Sequence, residues 1–249
     1  ICANNIVLGN KHSYQGSINT AIVKVFDMTI ATAGLASKHL TGASIAHIVS
    51  TNHAGSHASY FPGSRRMSIQ VSFSPDNGTL LGAQIAGYEG VDKRIDMLSS
   101  YIQQGNTIYD LAAFEHAYAP PYSSAKDPLN MSGFVAENIL SGRLKIFYWD
   151  EIDGFTPDDL LIDVRNPDEF SAGSIPVAIN IPLDEIRERL YEIPMNKNIR
   201  IYCEAGLRGY LAQRILTQHG FKSVSNLSGG YVTWKACVAE TENEYHLVT

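Results

Sequence analysis

The chain has 249 residues, 45% of them apolar, and a formal net charge of −6, which excludes global disorder and allows one large domain or two small ones. It contains no apolar run of about 18 residues, so we predict no membrane span. The first 143 residues carry nine basic and nine acidic side chains, and the rest carry ten basic and sixteen acidic ones. This uneven distribution of charge predicts two domains. Neither half has the excess of basic residues that a nucleic-acid-binding protein needs.

The first half of the chain predicts antiparallel strands followed by helices. Residues 20–30 are rich in β-branched and apolar side chains and predict one strand. Residues 67–73 alternate apolar and polar side chains, and the turn Pro75-Asp-Asn-Gly78 joins them to residues 80–85 in a predicted hairpin. Helical spacing of apolar side chains then predicts two helices, at residues 92–104 and 131–140.

The second half alternates predicted strands with predicted helices. The strands are residues 160–164, 199–203 and 224–227. The helices are residues 183–193, 207–219 and 231–239. Strands that alternate with helices of this length predict a parallel sheet in an α/β domain.

The strongest chemical signal is Cys203-Glu-Ala-Gly-Leu-Arg208, between a predicted strand and a predicted helix. Loop amides and the helix N-terminus converge at such a junction, so an anion, including a thiolate of Cys203, is stabilised there. Gly206 allows the loop to curl, and Arg208 places a cation at its rim. We predict a catalytic Cys203, against the alternative of a buried cysteine that merely closes a strand.

Spacing separates two cysteine chemistries. Cysteine phosphatases place five residues between the cysteine and the arginine, whereas four residues separate Cys203 from Arg208. The tighter loop has more room for one sulfur atom than for a phosphate group. A persulfide on Cys203 is therefore predicted in preference to a phosphocysteine.

The second half resembles a rhodanese domain over residues 160–234. The resemblance rests on four segments in order: residues 163–170 (DVRNPDEF), 178–182 (AINIP), the Cys203 loop, and 226–234 (NLSGGYVTW). It implies that Glu204, Ala205, Gly206, Leu207 and Arg208 bind the sulfur donor. Asp163 and Arg165 are interpreted as a structural pair that braces the loops.

One segment departs from the rhodanese pattern. The family usually reads Gly-His-Ile-Pro-Gly-Ala where this chain has Gly173-Ser-Ile-Pro-Val-Ala178. Ser174 stands in place of a histidine and Val177 in place of a turn glycine. We expect altered geometry in this loop and unchanged chemistry at Cys203.

The first half resembles the dimerisation domain of FAD-dependent pyridine nucleotide-disulfide oxidoreductases, and within them the CoA-disulfide and CoA-persulfide reductases. The segments that carry the resemblance are residues 16–26, 87–96 and 118–128. The domains expected are residues 13–142 (dimerisation) and 143–249 (rhodanese), after residues 1–12 as the last helix of a flavin domain. The chain is then a C-terminal fragment, and FAD and NAD(P)H act in the intact protein only, because no Gly-x-Gly-x-x-Gly follows a strand here.

In the reductases that the first half resembles, two tyrosines of the dimerisation domain reach into the CoA site of the partner subunit. By motif they correspond to Tyr60 and Tyr118, and a phenol can donate a hydrogen bond to a departing CoA thiolate. The alternative is that both are half-buried aromatics with satisfied hydroxyl groups. The resemblance also implies a homodimer.

Other chemistry-bearing residues are interpreted conservatively. The three cysteines form neither a disulfide framework nor a zinc motif, which favours a reducing cytoplasm. His53 and His57 are interpreted as loop histidines, and no metal site is predicted. Asp92-Lys-Arg-Ile-Asp96 is interpreted as a solvated helix start.

The sequence thus predicts an α+β dimerisation domain with an antiparallel sheet, followed by an α/β rhodanese domain with a parallel sheet. The expected function is sulfur transfer: Cys203 takes a sulfur atom from a donor such as thiosulfate or a polysulfide and passes it to a thiol such as CoA. The alternative is a non-catalytic dimerisation and sulfur-carrier or docking module. Neither function involves nucleic acid or a membrane.

Overall fold

The computed structural model describes residues 2–14 and 16–246, with side chains up to residue 238. Two five-stranded sheets follow each other along the chain. The elements of the first half are α1 Cys2–Leu8, β1 Ala21–Val25, β2 Met28–Gly34, α2 Ser37–Gly42, β3 Ile48–Gly55, β4 Arg66–Phe73, β5 Leu80–Gly87, α3 Val91–Gln103, α4 Ile108–Ala113 and α5 Pro128–Leu140.

The first sheet is antiparallel, with the strand order β1-β2-β5-β4-β3, and the predicted hairpin is its β4–β5 pair. Along β4, Met67, Ile69 and Val71 are buried in the core that includes α3 and α5 side chains, as the period of two requires. The intervening Ser68 and Gln70 therefore belong to the opposite face of the sheet. The α+β fold class predicted for this half is confirmed.

Residues 20–30 do not form the single strand that their composition predicts. The chain reverses at Phe26, which has φ of 52° and is 96% exposed, and β1 pairs antiparallel with β2 from Val25 and Met28 onward. A two-residue turn without glycine leaves no interruption in an apolar run. The segment is therefore a hairpin, and the prediction of a single strand is wrong because no turn residue divides the apolar run.

Residues 92–96 lie at the start of α3 and are a solvated helix start only in part, because Asp92, Lys93 and Asp96 are exposed whereas Arg94 is not. Arg94 is fully buried, and its guanidinium group forms an ion pair with Asp127, with Nη2 and Oδ2 2.7 Å apart. The same Nη2 also donates to the carbonyl oxygen of Ser56. Arg94 thus ties α3 to the N-terminus of α5 and to the segment that follows β3, a set of partners that no local charge pattern indicates.

The second half forms a parallel sheet with the strand order β6-β10-β9-β7-β8, which confirms the predicted α/β class. Its elements are β6 Ile146–Phe147, β7 Asp159–Asp163, α6 Pro167–Ser171, β8 Ile179–Asn180, β9 Asn198–Tyr202, α7 Leu207–Gln218, β10 Val224–Leu227 and α8 Gly230–His246, with short 3-10 helices at Trp149–Gly154 and Leu190–Glu192.

The helix predicted over residues 183–193 is wrong. This segment is a series of turns that ends in the 3-10 helix Leu190–Glu192. Some of its turns are closed by hydrogen bonds between residues three positions apart. The Ile186 amide donates to the Leu183 carbonyl oxygen, and the Ile193 amide donates to the Leu190 carbonyl oxygen. Side chains three residues apart then share one face, which imitates the spacing of an amphipathic helix.

The two halves meet along β3, an edge strand of the first sheet. The hydroxyl of Tyr148 donates to the carbonyl oxygen of Val49, and the Thr51 amide donates to Ser228 Oγ. These side chains of the second half satisfy backbone groups that an edge strand leaves unpaired. The second half therefore covers this edge, through side chains and without adding a strand.

The described helices include none that is both long and apolar enough to cross a membrane. The predicted domain limits, residues 13–142 and 143–249, stay a prediction. Within them, Gln15 and residues 247–249 lie outside the described residues, as does Ile1 of the segment 1–12.

Candidate functional site

Cys203 lies immediately after β9, where the strand leads into the loop before α7. Its Sγ atom accepts a hydrogen bond from the Gly206 amide at 3.1 Å, and the residue is 2% exposed. Gly206 has φ of 117°, a left-handed conformation that brings its N–H group back toward the sulfur atom and that a side chain would strain. The sequence prediction of a cysteine at a strand-to-helix junction is thus matched by the geometry.

Three carbonyl groups of the Cys203 loop, those of Cys203, Glu204 and Gly206, accept hydrogen bonds from other parts of the chain. At the start of α8, the Tyr231 amide donates to the Cys203 carbonyl oxygen at 2.8 Å. Asn226 Nδ2 donates to the Gly206 carbonyl oxygen at 3.0 Å. A loop anchored through its carbonyl groups is free to turn N–H groups inward, as the Gly206 amide does, and such a loop suits a thiolate or an anionic sulfur group.

Arg208 lies on the first turn of α7, but its guanidinium group is already engaged. It forms a bidentate ion pair with Glu169 of α6, with nitrogen–oxygen distances of 2.6 and 2.7 Å. The pair lowers the pKa of Glu169 to about 2 and raises the pKa of Arg208 above its ordinary value. Both groups are therefore charged at neutral pH, and a donor anion would compete with Glu169 for Arg208.

Asp163 and Arg165 form a second, buried ion pair, with Nη2 and Oδ2 2.7 Å apart. Arg165 also donates to the carbonyl oxygen of Gly173 and stacks over the ring of Tyr231, whose centroid lies 4.1 Å from the guanidinium carbon. The pair thus joins the loop after β7 to the segment at Gly173 and to α8. This arrangement agrees with a bracing role for both residues.

Glu204, the second residue of the loop, connects Cys203 to the first half of the chain. Its Oε1 atom lies 3.4 Å from Nη2 of Arg66 at the start of β4, and its Oε2 atom lies 3.5 Å from Nη1 of Arg165. Leu207 is 68% exposed at the rim of the loop, and Ala205 is partly exposed. The loop therefore has one apolar and one charged side.

Tyr60 and Tyr118 meet each other at the surface of the first half. Their hydroxyl oxygens lie 2.8 Å apart, although the first follows β3 and the second precedes α5. Tyr60 is 74% exposed, and the hydrogen bond with Tyr60 raises the pKa of Tyr118. Tyr118 is exposed as well, so the alternative interpretation as half-buried aromatics fits neither residue. The structure brings the two predicted phenols together.

The histidines interpreted as loop residues are only partly so. His53 lies within β3, where Nδ1 contacts Ser68 Oγ and Nε2 contacts Thr233 Oγ1 of α8, both at 2.8 Å. Burial, assisted by the charge of Arg66, lowers the pKa of His53 to about 4. Its neutral ring is a hydrogen-bonded link between the two halves, which the interpretation as a loop residue missed because β3 is rich in polar residues.

Two residues at the site were not singled out from the sequence. Glu169 lies in the segment 163–170 that carries the rhodanese resemblance, and its capping box with Asn166 is a recognisable helix-start signal. Arg66 gives no comparable signal, because its contact with Glu204 spans 138 residues.

The comparisons with known proteins match both halves. Residues 20–128 match the family model of the pyridine nucleotide-disulphide oxidoreductase dimerisation domain, and residues 148–237 match that of the rhodanese-like domain. A Coenzyme A disulfide reductase of Staphylococcus haemolyticus is 43% identical over 132 residues, which are 53% of this chain and 30% of that protein.

Two solved structures resemble the chain over nearly its whole length. Reduced CoADR-RHD of Bacillus anthracis is 44% identical with a TM-score of 0.90, covering 95% of this chain and 42% of that one. An NAD-dependent persulfide reductase from A. fulgidus is 36% identical with a TM-score of 0.82, covering 92% and 41%. This chain spans less than half of each relative. It consists of a pyridine nucleotide-disulphide oxidoreductase dimerisation domain joined to a rhodanese-like domain, an arrangement that it shares with both structures.

Proposed function

We propose that the rhodanese-like domain is a sulfurtransferase in which Cys203 carries the transferred sulfur atom. The observation that carries this proposal is the Gly206 amide, which donates to Cys203 Sγ within a loop that is anchored through the Cys203, Glu204 and Gly206 carbonyl groups. An N–H group aimed at sulfur stabilises the thiolate before attack and the persulfide after it.

The chemistry needs two displacements at sulfur. The Cys203 thiolate attacks the sulfane sulfur of a donor, the donor's sulfur–sulfur bond breaks, and the leaving group departs with the electron pair. An acceptor thiolate such as that of CoA then attacks the outer sulfur of the Cys203 persulfide and regenerates the Cys203 thiolate. The loop residues Glu204 to Leu207, together with Arg208, form the surface that the donor would contact.

The relatives indicate the setting of this transfer. We infer that the intact protein is a homodimeric reductase of CoA persulfide or CoA disulfide, in which Tyr60 and Tyr118 contribute to the CoA site of the partner subunit. A hydroxyl pair 2.8 Å apart whose two members are both exposed can donate a hydrogen bond to a thiolate leaving group.

The described residues do not themselves fit FAD or NAD(P)H. Three loops lead from a parallel strand into the next helix at a short junction: residues 164–166, 203–206 and 228–229. The first two carry Arg165 and Cys203, and the third has the adjacent glycines Gly229 and Gly230 without the Gly-x-Gly-x-x-Gly spacing of a dinucleotide cradle. In the intact reductase that we propose, FAD and NAD(P)H are bound by other residues. No step is assigned to either cofactor on this chain.

Intact-mass measurement after incubation with thiosulfate and, separately, with inorganic polysulfide tests the sulfurtransferase proposal. The chain should gain the mass of one sulfur atom from at least one donor, and Cys203→Ser should abolish the gain, whereas Cys237→Ser and Cys2→Ser should retain it. The proposal fails if the Cys203→Ser variant still takes up sulfur, or if the wild-type chain takes up none from thiosulfate, from polysulfide or from an organic persulfide.

The second candidate function is a docking or carrier module without catalysis. The 2% exposure of Cys203 favours it, because a buried sulfur atom is hard for a donor to reach. Persulfide formation without onward transfer to added CoA would support this candidate over the sulfurtransferase.

A further inference from the structure

Six charged side chains on or near the Cys203 loop are linked by ion pairs. This loop charge cluster consists of Arg66, Asp163, Arg165, Glu169, Glu204 and Arg208. Three guanidinium groups are balanced by three carboxylates, so the formal charge of the loop charge cluster is zero at neutral pH.

Each guanidinium group of the loop charge cluster already has a carboxylate partner. Arg208 is held by Glu169 in a bidentate pair, which is the strongest geometry for this contact. Arg165 is buried against Asp163, and its remaining contacts include Glu204 and the carbonyl oxygen of Gly173. Arg66 faces Glu204, the only loop side chain with a negative charge.

Charge neutrality matters because sulfur donors differ in charge. Thiosulfate is a dianion, so a cation that is not already neutralised strengthens its binding next to Cys203 beyond what the loop amides provide. An organic persulfide has at most one negative charge and presents an apolar carbon next to sulfur. Leu207, exposed at the rim, provides apolar surface for that carbon.

We propose that Glu169 determines donor specificity: by occupying Arg208 it keeps the Cys203 loop neutral, so that Cys203 takes sulfur from organic persulfides and disfavours thiosulfate. This inference rests on the sulfurtransferase function proposed above. Glu169 acts through Arg208, and the proposal gives it no contact with the sulfur atom of Cys203 or with that of the donor.

Atoms and charges balance in both sulfur-transfer reactions between which Glu169 is proposed to discriminate. With an organic persulfide, Cys203–S⁻ attacks the outer sulfur of R–S–SH, the S–S bond of the donor breaks, and Cys203–S–SH and R–S⁻ are formed. With thiosulfate, Cys203–S⁻ attacks the sulfane sulfur, the S–S bond breaks, and Cys203–S–S⁻ and sulfite dianion are formed. Only the second reaction brings two negative charges to the loop and releases both on sulfite.

The experiment compares two rate constants for the persulfidation of Cys203, one with thiosulfate and one with 2-hydroxyethyl persulfide, whose organic group carries no charge. Intact-mass measurement follows the formation of the Cys203 persulfide in both reactions. The wild-type chain should favour the persulfide. Glu169→Gln, which keeps a hydrogen-bond acceptor for the Asn166 amide and removes the charge, should accelerate the thiosulfate reaction by about ten- to a hundredfold and change the persulfide reaction little.

Glu169→Asp and Glu192→Gln are the controls. The first keeps the charge at Arg208, and the second removes a carboxylate that pairs with Arg189 in the segment before β9, so neither should alter the donor preference. The inference is overturned if wild type reacts with thiosulfate as fast as with the persulfide, or if Glu169→Gln leaves the ratio unchanged. Absence of persulfidation by every donor in wild type would instead refute the sulfurtransferase function itself.

A measurement on the wild-type chain does not depend on the folding of any variant. The loop charge cluster is neutral, and the Cys203 thiolate and thiosulfate are both negative. The rate constant with thiosulfate should therefore stay unchanged or rise as the ionic strength is raised, because salt then screens a repulsion. A steep decrease with salt would show an uncompensated cation at the loop and would overturn the role of Glu169.

Discussion

The hydroxyl oxygens of Tyr60 and Tyr118 lie 2.8 Å apart, although 58 residues separate them in the chain. The hydrogen bond raises the pKa of the Tyr118 phenol. Tyr60→Phe removes the partner, so the pKa of Tyr118 should fall toward its ordinary value. Titration of Tyr ring carbons by NMR measures this shift, with Tyr191→Phe as a control at an exposed position. An unchanged Tyr118 titration would show that the pair does not form in solution.

His53 should make stability depend on acid. Burial and Arg66 lower the pKa of folded His53 to about 4, whereas the unfolded ring titrates near 6.5. Between these values the unfolded state binds more protons, so the free energy of unfolding should fall as the pH is lowered through this window, by roughly 3 kcal/mol in total. Denaturant titrations at several pH values measure the slope.

His53→Gln should remove most of this acid-dependent loss, since Gln has no charge to gain. His39→Gln, at an exposed position on α2, is the matched control and should retain the loss. Equal slopes in wild type and His53→Gln would contradict the assignment.

Breaking the buried Arg94–Asp127 pair should cause a large loss of stability. Burial alone raises the pKa of Asp127, and the contacts with Arg94, the Leu129 amide and Ser123 together more than offset this and hold it below its ordinary value. Arg94→Met leaves the carboxylate buried without a cation, which should lower the free energy of unfolding by about 3–5 kcal/mol. Arg143→Met, which removes an exposed pair with Glu137, should cost less than about 1 kcal/mol in the same denaturant titration.

Val177 has φ of 62°, in the left-handed region that costs a side chain roughly 1–2 kcal/mol. The residue is 83% exposed, so replacing it loses little packing. Val177→Gly should therefore raise the free energy of unfolding by about 0.5–1 kcal/mol after the entropy of glycine is included. Val23→Gly, at an exposed position in β1, should have the opposite effect, and a destabilised Val177→Gly variant would show that the loop is unstrained.

Gly209 allows α7 to approach the side chain of Asn226. A Cβ atom at this position would clash with the Asn226 amide group, whose Nδ2 holds the Gly206 carbonyl oxygen. Gly209→Ala should cost about 1–3 kcal/mol of stability and slow persulfidation of Cys203 as the loop shifts. Gly154→Ala, where nothing lies within 4 Å of the added atom, should change neither melting temperature nor rate. If Gly209→Ala lowers stability and leaves the rate intact, Asn226 does not position the loop.

Local patterns were reliable where an element's period, turn and partner are close in sequence. The β4–β5 hairpin combines strict alternation with turn residues, and the β9–Cys203–α7 unit combines an apolar strand, a glycine and a helical repeat. The same patterns gave wrong predictions where one spacing of apolar residues is compatible with two different structures. The run at residues 20–30 hides a reversal, and three-residue turns at residues 183–193 reproduce helical spacing.

The sequence by itself determined the two fold classes, their order, and the position of Cys203 at a strand-to-helix junction, because each depends on hydrophobic period and on residues within one short segment. Only the tertiary structure decided how the charges are paired. The partners of Arg94, Glu169 and Glu204 include residues 33 to 138 positions away. Side chains reach such partners when sheets and helices pack, and the energy of a charge depends on the burial and the counter-ion that packing provides.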